Sequence, residues 1–167
     1  MRIMRIGRVY HLVSIVAVLV LAATGVANAA TVRVSGTITE VSPGTCGDFA
    51  LRGQMLRLHC EGLIDAWAGG ISGSGVFDEA VSVNLVSGAV QVSGAETFDG
   101  CVGVSCGTLE WTYHGSGRID LATFAVVFIN GEQHFTGGTG GLEEARGSLR
   151  FSLIGAGPAT YEGFIVL

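Results

Sequence analysis

The sequence predicts an all-β protein built from short antiparallel strands. Three observations carry this. Apolar and polar residues alternate along most of the chain, the period of a strand with one buried face. Glycine makes up 27 of 167 residues and proline only two, which suits strands that bend and turn at glycine. Turn signals recur at short intervals, and no stretch beyond residue 30 carries a helical period. Strands so spaced, without helices, close into a sandwich or a barrel.

The first 29 residues read as a leader. Arg2, Arg5 and Arg8 come without any acid, an apolar run spans 12–23, and Ala27-Asn28-Ala29 supplies small residues at a cleavage site. That is the order of a secretory signal peptide. The run is shorter than the roughly 20 residues that cross a bilayer. Cleavage after Ala29 leaves one domain over 30–167, and secretion to an extracellular or cell-envelope compartment is expected. Past the leader there are six arginines, no lysine and 14 acids, a net charge of −8. Such a chain has little with which to neutralise phosphates, so neither nucleic acid nor a membrane surface is expected as a partner.

The strands follow in order at about 31–41, 50–60, 62–68, 71–77, 80–86, 89–98, 107–115, 118–136, 146–154 and 159–167, with some being halves of one bent strand, so that eight or nine are expected. Val32, Val34, Gly36 and Ile38 share one face of the first. Leu109, Trp111 and Tyr113 share one face of the seventh, and Leu149, Phe151 and Leu153 one face of the ninth. Ser87-Gly88 and Gly115-Ser116-Gly117 mark turns, and Asn130-Gly131 marks a tight hairpin inside 118–136, because both central residues of such a turn need positive φ. The run 121–129 is apolar on both parities, which suggests that a second subunit covers its outer side.

All four cysteines, Cys46, Cys60, Cys101 and Cys106, lie beyond the leader. An even number in an exported chain implies two disulfides. Three pairings are open, and Cys46–Cys60 with Cys101–Cys106 has the lowest closure cost. The spacings match no zinc pattern, and His59, His114 and His134 include no H-x-H pair, so no metal is expected.

The chemistry-bearing motifs are weaker. FTGGTGGLEEARG, residues 135–147, lacks the lysine of a phosphate loop and has Glu143 where a dinucleotide fingerprint needs its third glycine. Glu143 and Glu144 are adjacent, so in an extended chain they face opposite ways and make no acid–base pair. Gly103-Val104-Ser105-Cys106-Gly107 matches the nucleophile elbow G-x-S-x-G, with Asp120 and His134 following, but a strand pattern stands where the elbow's helix belongs. No cofactor is expected.

Thr136-Gly137-Gly138-Thr139-Gly140, then Leu142-Glu143 and Ala145-Arg146-Gly147, resembles the signature of the allene oxide cyclase and dirigent barrels. The resemblance covers about 16 residues. It implies an antiparallel, calycin-like barrel of eight strands, often trimeric, with Gly137, Gly138, Thr139, Gly140, Arg146 and Gly147 forming a structural corner. Plant cyclases carry a catalytic Glu and a water-holding Asn in the first strand. The comparable positions here are Thr37 and Thr39, a departure from cyclase chemistry.

A barrel of this size either fills with its own side chains or holds one small ligand. Aromatics abound, and Trp111, Tyr113, Phe124 and Phe128 are the candidates for lining a cavity, with Gly36, Ala68, Ala122 and Ala125 leaving room beside them. The expected function is binding of a small hydrophobic ligand, lipid-like or phenolic. An isomerase or cyclase acting inside the barrel, and a purely structural module, are the alternatives.

Overall fold

The computed structural model describes residues 30–167; the leader read over 1–29 lies outside the described residues. Ten strands follow in chain order: β1 (Thr31–Ser42), β2 (Thr45–Cys46), β3 (Ala50–Arg52), β4 (Met55–Gly69), β5 (Ile71–Asn84), β6 (Ala89–Val102), β7 (Ser105–Ile119), β8 (Val126–Gly138), β9 (Arg146–Ile154) and β10 (Ala159–Val166). Strands β4 to β10 form an antiparallel meander, and β1 closes it by pairing with β10 on one side and β4 on the other. The result is a closed barrel of eight long strands. The short β2 and β3 lie on the margin of β4, outside the closed circuit.

The alternation predicts the inner face well. Val32, Val34, Gly36 and Ile38 are the more buried parity of β1, and Leu109, Trp111 and Tyr113 are buried on β7. Two apolar clusters fill the two ends. One is built on Val34, Ile71, Phe98, Leu109, Leu149 and Ile165, and the other on Val83, Val90, Val92, Ile119 and Ile129.

Several turns fall elsewhere than expected. Ser87-Gly88 does end the β5–β6 hairpin, with Gly88 at φ 72°, and the Asn84 carboxamide accepts from the N–H groups of Val86 and Ser87. Asn130-Gly131 makes no hairpin and lies inside β8. A β-carbon on Gly131 would collide with the Phe151 ring, so this glycine makes space for an aromatic instead of a positive φ. Gly115-Ser116-Gly117 likewise lies within β7, near its end. The real β7–β8 turn is 120–125, where the Asp120 carboxylate accepts from the N–H groups of Ala122 and Thr123 at 2.7 and 3.3 Å. The segments 50–60 and 62–68 join largely into β4, across a register shift between Cys60 and Leu63, and 71–77 with 80–86 form β5.

Both disulfides are local: Cys46–Cys60 ties β2 to β4, and Cys101–Cys106 crosses the β6–β7 hairpin. They indicate an oxidising, extracytoplasmic environment.

Candidate functional site

Between the two apolar clusters the inner wall turns polar. Asp65 on β4 and Glu96 on β6 are 5% and 4% exposed, and Gln133 on β8 is 4% exposed. Glu79 on β5 and Tyr113 on β7 point into the same space, a cavity of about 590 Å³. Its remaining wall is mostly apolar, with Ile38, Phe77, Ile129, Phe151 and Leu153. Glu40 at the end of β1 and the turn 155–158 also border the cavity.

Strand register explains how these groups meet. Asp65 pairs with Gly75, and Gly75 with Phe98 on β6, two residues from Glu96. A β-carbon on Gly75 would overlap a Glu96 carboxylate oxygen and come within 2.6 Å of Asp65 Oδ1. The missing side chain is therefore the space in which the two carboxyls converge. Trp67 Nε1–H bridges them, donating to Asp65 Oδ1 at 2.8 Å and to Glu96 Oε1 at 2.9 Å. Trp111 Nε1–H donates to the other Glu96 oxygen, Oε2, at 2.9 Å. One row along, Glu79 pairs with Gly94, Gly94 with Tyr113 and Tyr113 with Gln133. Over Gly94 the Tyr113 hydroxyl reaches the Glu79 carboxyl, donating at 3.3 Å. Gln133 Oε1 is buried without a hydrogen-bond partner.

Burial sets the protonation of these acids, because removing a carboxylate from water disfavours its charged form. Burial pushes Asp65 up to about 6, and its bonds to Glu96 and Trp67 oppose that only in part. Burial pushes Glu79 up to about 7. Glu96 is held well above the ordinary carboxylate range by burial and by the Asp65 charge beside it. Two carboxyls this close titrate as a pair, with a proton retained on Glu96 while Asp65 ionises. Tyr113 is raised as well, by burial and then by Glu79.

Of the four aromatics expected to line a cavity, Tyr113 does so, and Trp111 is inside the barrel but packed in the core beside the cavity. Phe124 and Phe128 are not inside. Phe124 sits in the 120–125 turn at φ 57° and is 56% exposed, and Phe128 is 40% exposed on the outer side of β8. The apolar run had hidden the fact that 121–125 belongs to a turn, and that from 121–129 only Leu121, Val126 and Ile129 pack into the core. Ala68, Ala122 and Ala125 are exposed too, leaving Gly36 as the expected small residue that is inside. Thr37 and Thr39 occupy the exposed parity of β1, with Thr39 and Glu40 at the cavity's border, and the acids set deeper in the barrel come from β4, β5 and β6.

Sequence reasoning missed Asp65, Glu79, Glu96 and Gln133, although each breaks an otherwise apolar parity: Leu63-x-Asp65-x-Trp67, Phe77-x-Glu79-x-Val81, Val92-x-Gly94-x-Glu96-x-Phe98 and Ile129-x-Gly131-x-Gln133-x-Phe135. A polar residue in phase with core residues was the available signal.

The glycine-rich stretch closes one end of the barrel. Gly137 and Gly138 finish β8, a single 3-10 turn runs over Gly140–Leu142, and Leu142 and Ala145 plug the floor. Gly140 holds φ 63° against Cys106, and Gly147 sits at φ 140° beside Phe164; Arg146 is exposed at the start of β9. Glu143 and Glu144 are exposed, away from the cavity. Ser105 lies at the start of β7 in the β6–β7 hairpin, so no nucleophile elbow forms.

A larger hollow, about 1090 Å³, lies over the outer face and is lined by residues such as Ser82, Gln91, Ser93, His114, Asn130 and Glu132. It contains none of the buried acids, and we take the interior cavity as the site for that reason. His114 and His134 stack on this outer face with ring centroids 6.0 Å apart. Among the described residues no cluster of ligating side chains could hold a metal ion.

No family model matches the chain, and no curated protein sequence matches it significantly. Among solved structures, it is similar to a protein of unknown function from the DUF3224 family of Shewanella oneidensis MR-1. The TM-score is 0.64 at 15% identity, over 83% of this chain and 98% of that one. At that identity the likeness is one of fold alone.

Proposed function

We propose that the protein is an exported binding protein that takes one small, largely apolar ligand into the barrel. One observation carries the reading: a cavity of about 590 Å³ with apolar walls and a few convergent polar groups, one of which, Gln133 Oε1, is buried without a partner. Ligand sites have this composition, an apolar body with a small number of placed polar atoms that fix orientation. Export is supported by the leader pattern and by the two disulfides.

Nile red, a neutral dye whose emission reports polarity, tests the reading. It should bind the native protein saturably, near one per chain. Ala159 pairs with the inward-facing Ile38 and borders the cavity. Ala159→Trp should weaken dye binding by about tenfold or more by filling that space. Dye bound non-saturably, or equally well by a folded Ala159→Trp protein, would sink the proposal.

A catalytic reading has one observation in its favour. Glu79, raised to about 7 at the edge of an apolar cavity, is poised to exchange a proton near neutral pH, as an isomerase would require. Solvent deuterium should then enter a bound cyclic ketone next to its carbonyl, and Glu79→Gln should abolish that exchange. Exchange no faster than in buffer alone would remove this reading.

A further inference from the structure

We propose that the ligand of the interior site is an organic ammonium, a cation on an apolar, preferably aromatic, body. The inference rests on the binding reading above and names the ligand's chemistry. Every charged group that can face the cavity is an acid: Glu40 from β1, Asp65 from β4, Glu79 from β5 and Glu96 from β6. β7 adds Tyr113 and β8 adds Gln133, while β9 and β10 contribute Phe151, Leu153 and Ala159, which carry no charge. Among the described residues no cation answers them. The chain has no lysine, and Arg33, Arg52, Arg57, Arg118, Arg146 and Arg150 are all exposed.

Buried carboxyls without a counter-ion are costly and stay neutral by holding protons. An ammonium group replaces those protons. It brings a positive charge and up to three N–H donors into a space otherwise rich in acceptors. Gln133 Oε1 supplies an independent indication, since it is an acceptor buried in the wall with nothing donating to it. It shares an interior row with Tyr113 and Glu79, so a donor placed between β5 and β8 would find both. Phe77, Tyr113 and Phe151 offer aromatic surface for the cation's flank and for its body. The same arrangement works against a carboxylate ligand, which would place a further anion beside four acids.

Displacement of Nile red by three molecules of matched shape tests this: 2-phenylethylamine, 2-phenylethanol and 3-phenylpropionate, at about pH 8, where Asp65 and Glu79 are ionised and the amine is charged. The amine should displace the dye at a concentration about tenfold or more below the alcohol, as expected for a charge-assisted contact, with the carboxylate weakest. In Glu79→Gln the ratio between amine and alcohol should fall about fivefold or more. At about pH 6.5 amine binding should release protons, read as a dependence of calorimetric heat on buffer ionisation enthalpy. Equal displacement by all three, displacement by none, or an unchanged ratio in a folded Glu79→Gln protein would overturn the ammonium inference and leave the cavity reading standing. Failure of Nile red itself to bind would remove both.

Discussion

Glu96 accepts indole N–H groups on both of its oxygens while lying against a second carboxyl. With the pair's proton on Glu96, a carboxamide at this position is close to an isostere: its oxygen accepts from Trp111 and its NH₂ donates to Asp65, while Trp67 gives up its bond to Glu96 and keeps Asp65 Oδ1 as acceptor. Glu96→Gln should therefore cost under about 1 kcal/mol at neutral pH, while Glu96→Ala, which orphans an indole donor and opens a void, should cost about 3 kcal/mol. Urea titration of the two variants checks this, and equal losses would show that Glu96 is ionised in the native state. The residues around this pair show where a sequence can be read and where it cannot. That Trp111 and Tyr113 face inward follows from period two alone. That Gly75 and Gly94 are spaces for neighbouring side chains does not, because the alignment of β4, β5, β6 and β7 decides which residue each glycine meets.

At the scale of elements, the glycine-rich segment after β8 is architecture. A β-carbon on Gly138 would overlap the Leu142 carbonyl and come within 2.7 Å of the Thr108 carbonyl oxygen. Those contacts set the corner that drives Leu142 into the barrel floor. Gly138→Val should lower stability by roughly 1–3 kcal/mol, by forcing the backbone off its path, with Nile red affinity little changed in the folded fraction. Normal melting with lost binding would make the corner part of the site. The strand pattern, the Ser87-Gly88 turn and the local disulfides were all legible in the sequence, since each depends on neighbours along the chain. Asn130-Gly131 misled for a physical reason. The pair has the composition of a tight turn, but Gly131 serves the Phe151 ring one strand away, and turn propensity yields to packing where a long strand is already paired on both sides.

For the whole molecule, the raised acids make stability depend on pH in an unusual direction. Asp65 and Glu79 have folded values of about 6 and about 7, above their ordinary values of 3.8 and 4.5. Between about pH 4 and 7 the native state therefore holds more protons than the unfolded chain, and stability falls as pH rises through that window. Urea unfolding should show the protein more stable at pH 5 than at pH 8, by on the order of 3 kcal/mol, with the difference reduced in Glu79→Gln. A rise in stability from pH 5 to 8 would contradict the burial of these acids. An organic cation should narrow the difference by stabilising the ionised form.

Both tryptophans of the chain, Trp67 and Trp111, donate to Glu96 beside the cavity. Their two indole N–H signals in a ¹H–¹⁵N spectrum of ¹⁵N-labelled protein therefore report the site directly. Titration with a cavity ligand such as 2-phenylethylamine is the most direct measurement of the central claim, that the barrel is hollow with an acidic wall. Both indole signals should shift together and saturate with one dissociation constant at one ligand per chain. Indole signals that stay still while signals from the outer face move would place binding on the surface and make the interior no more than a core.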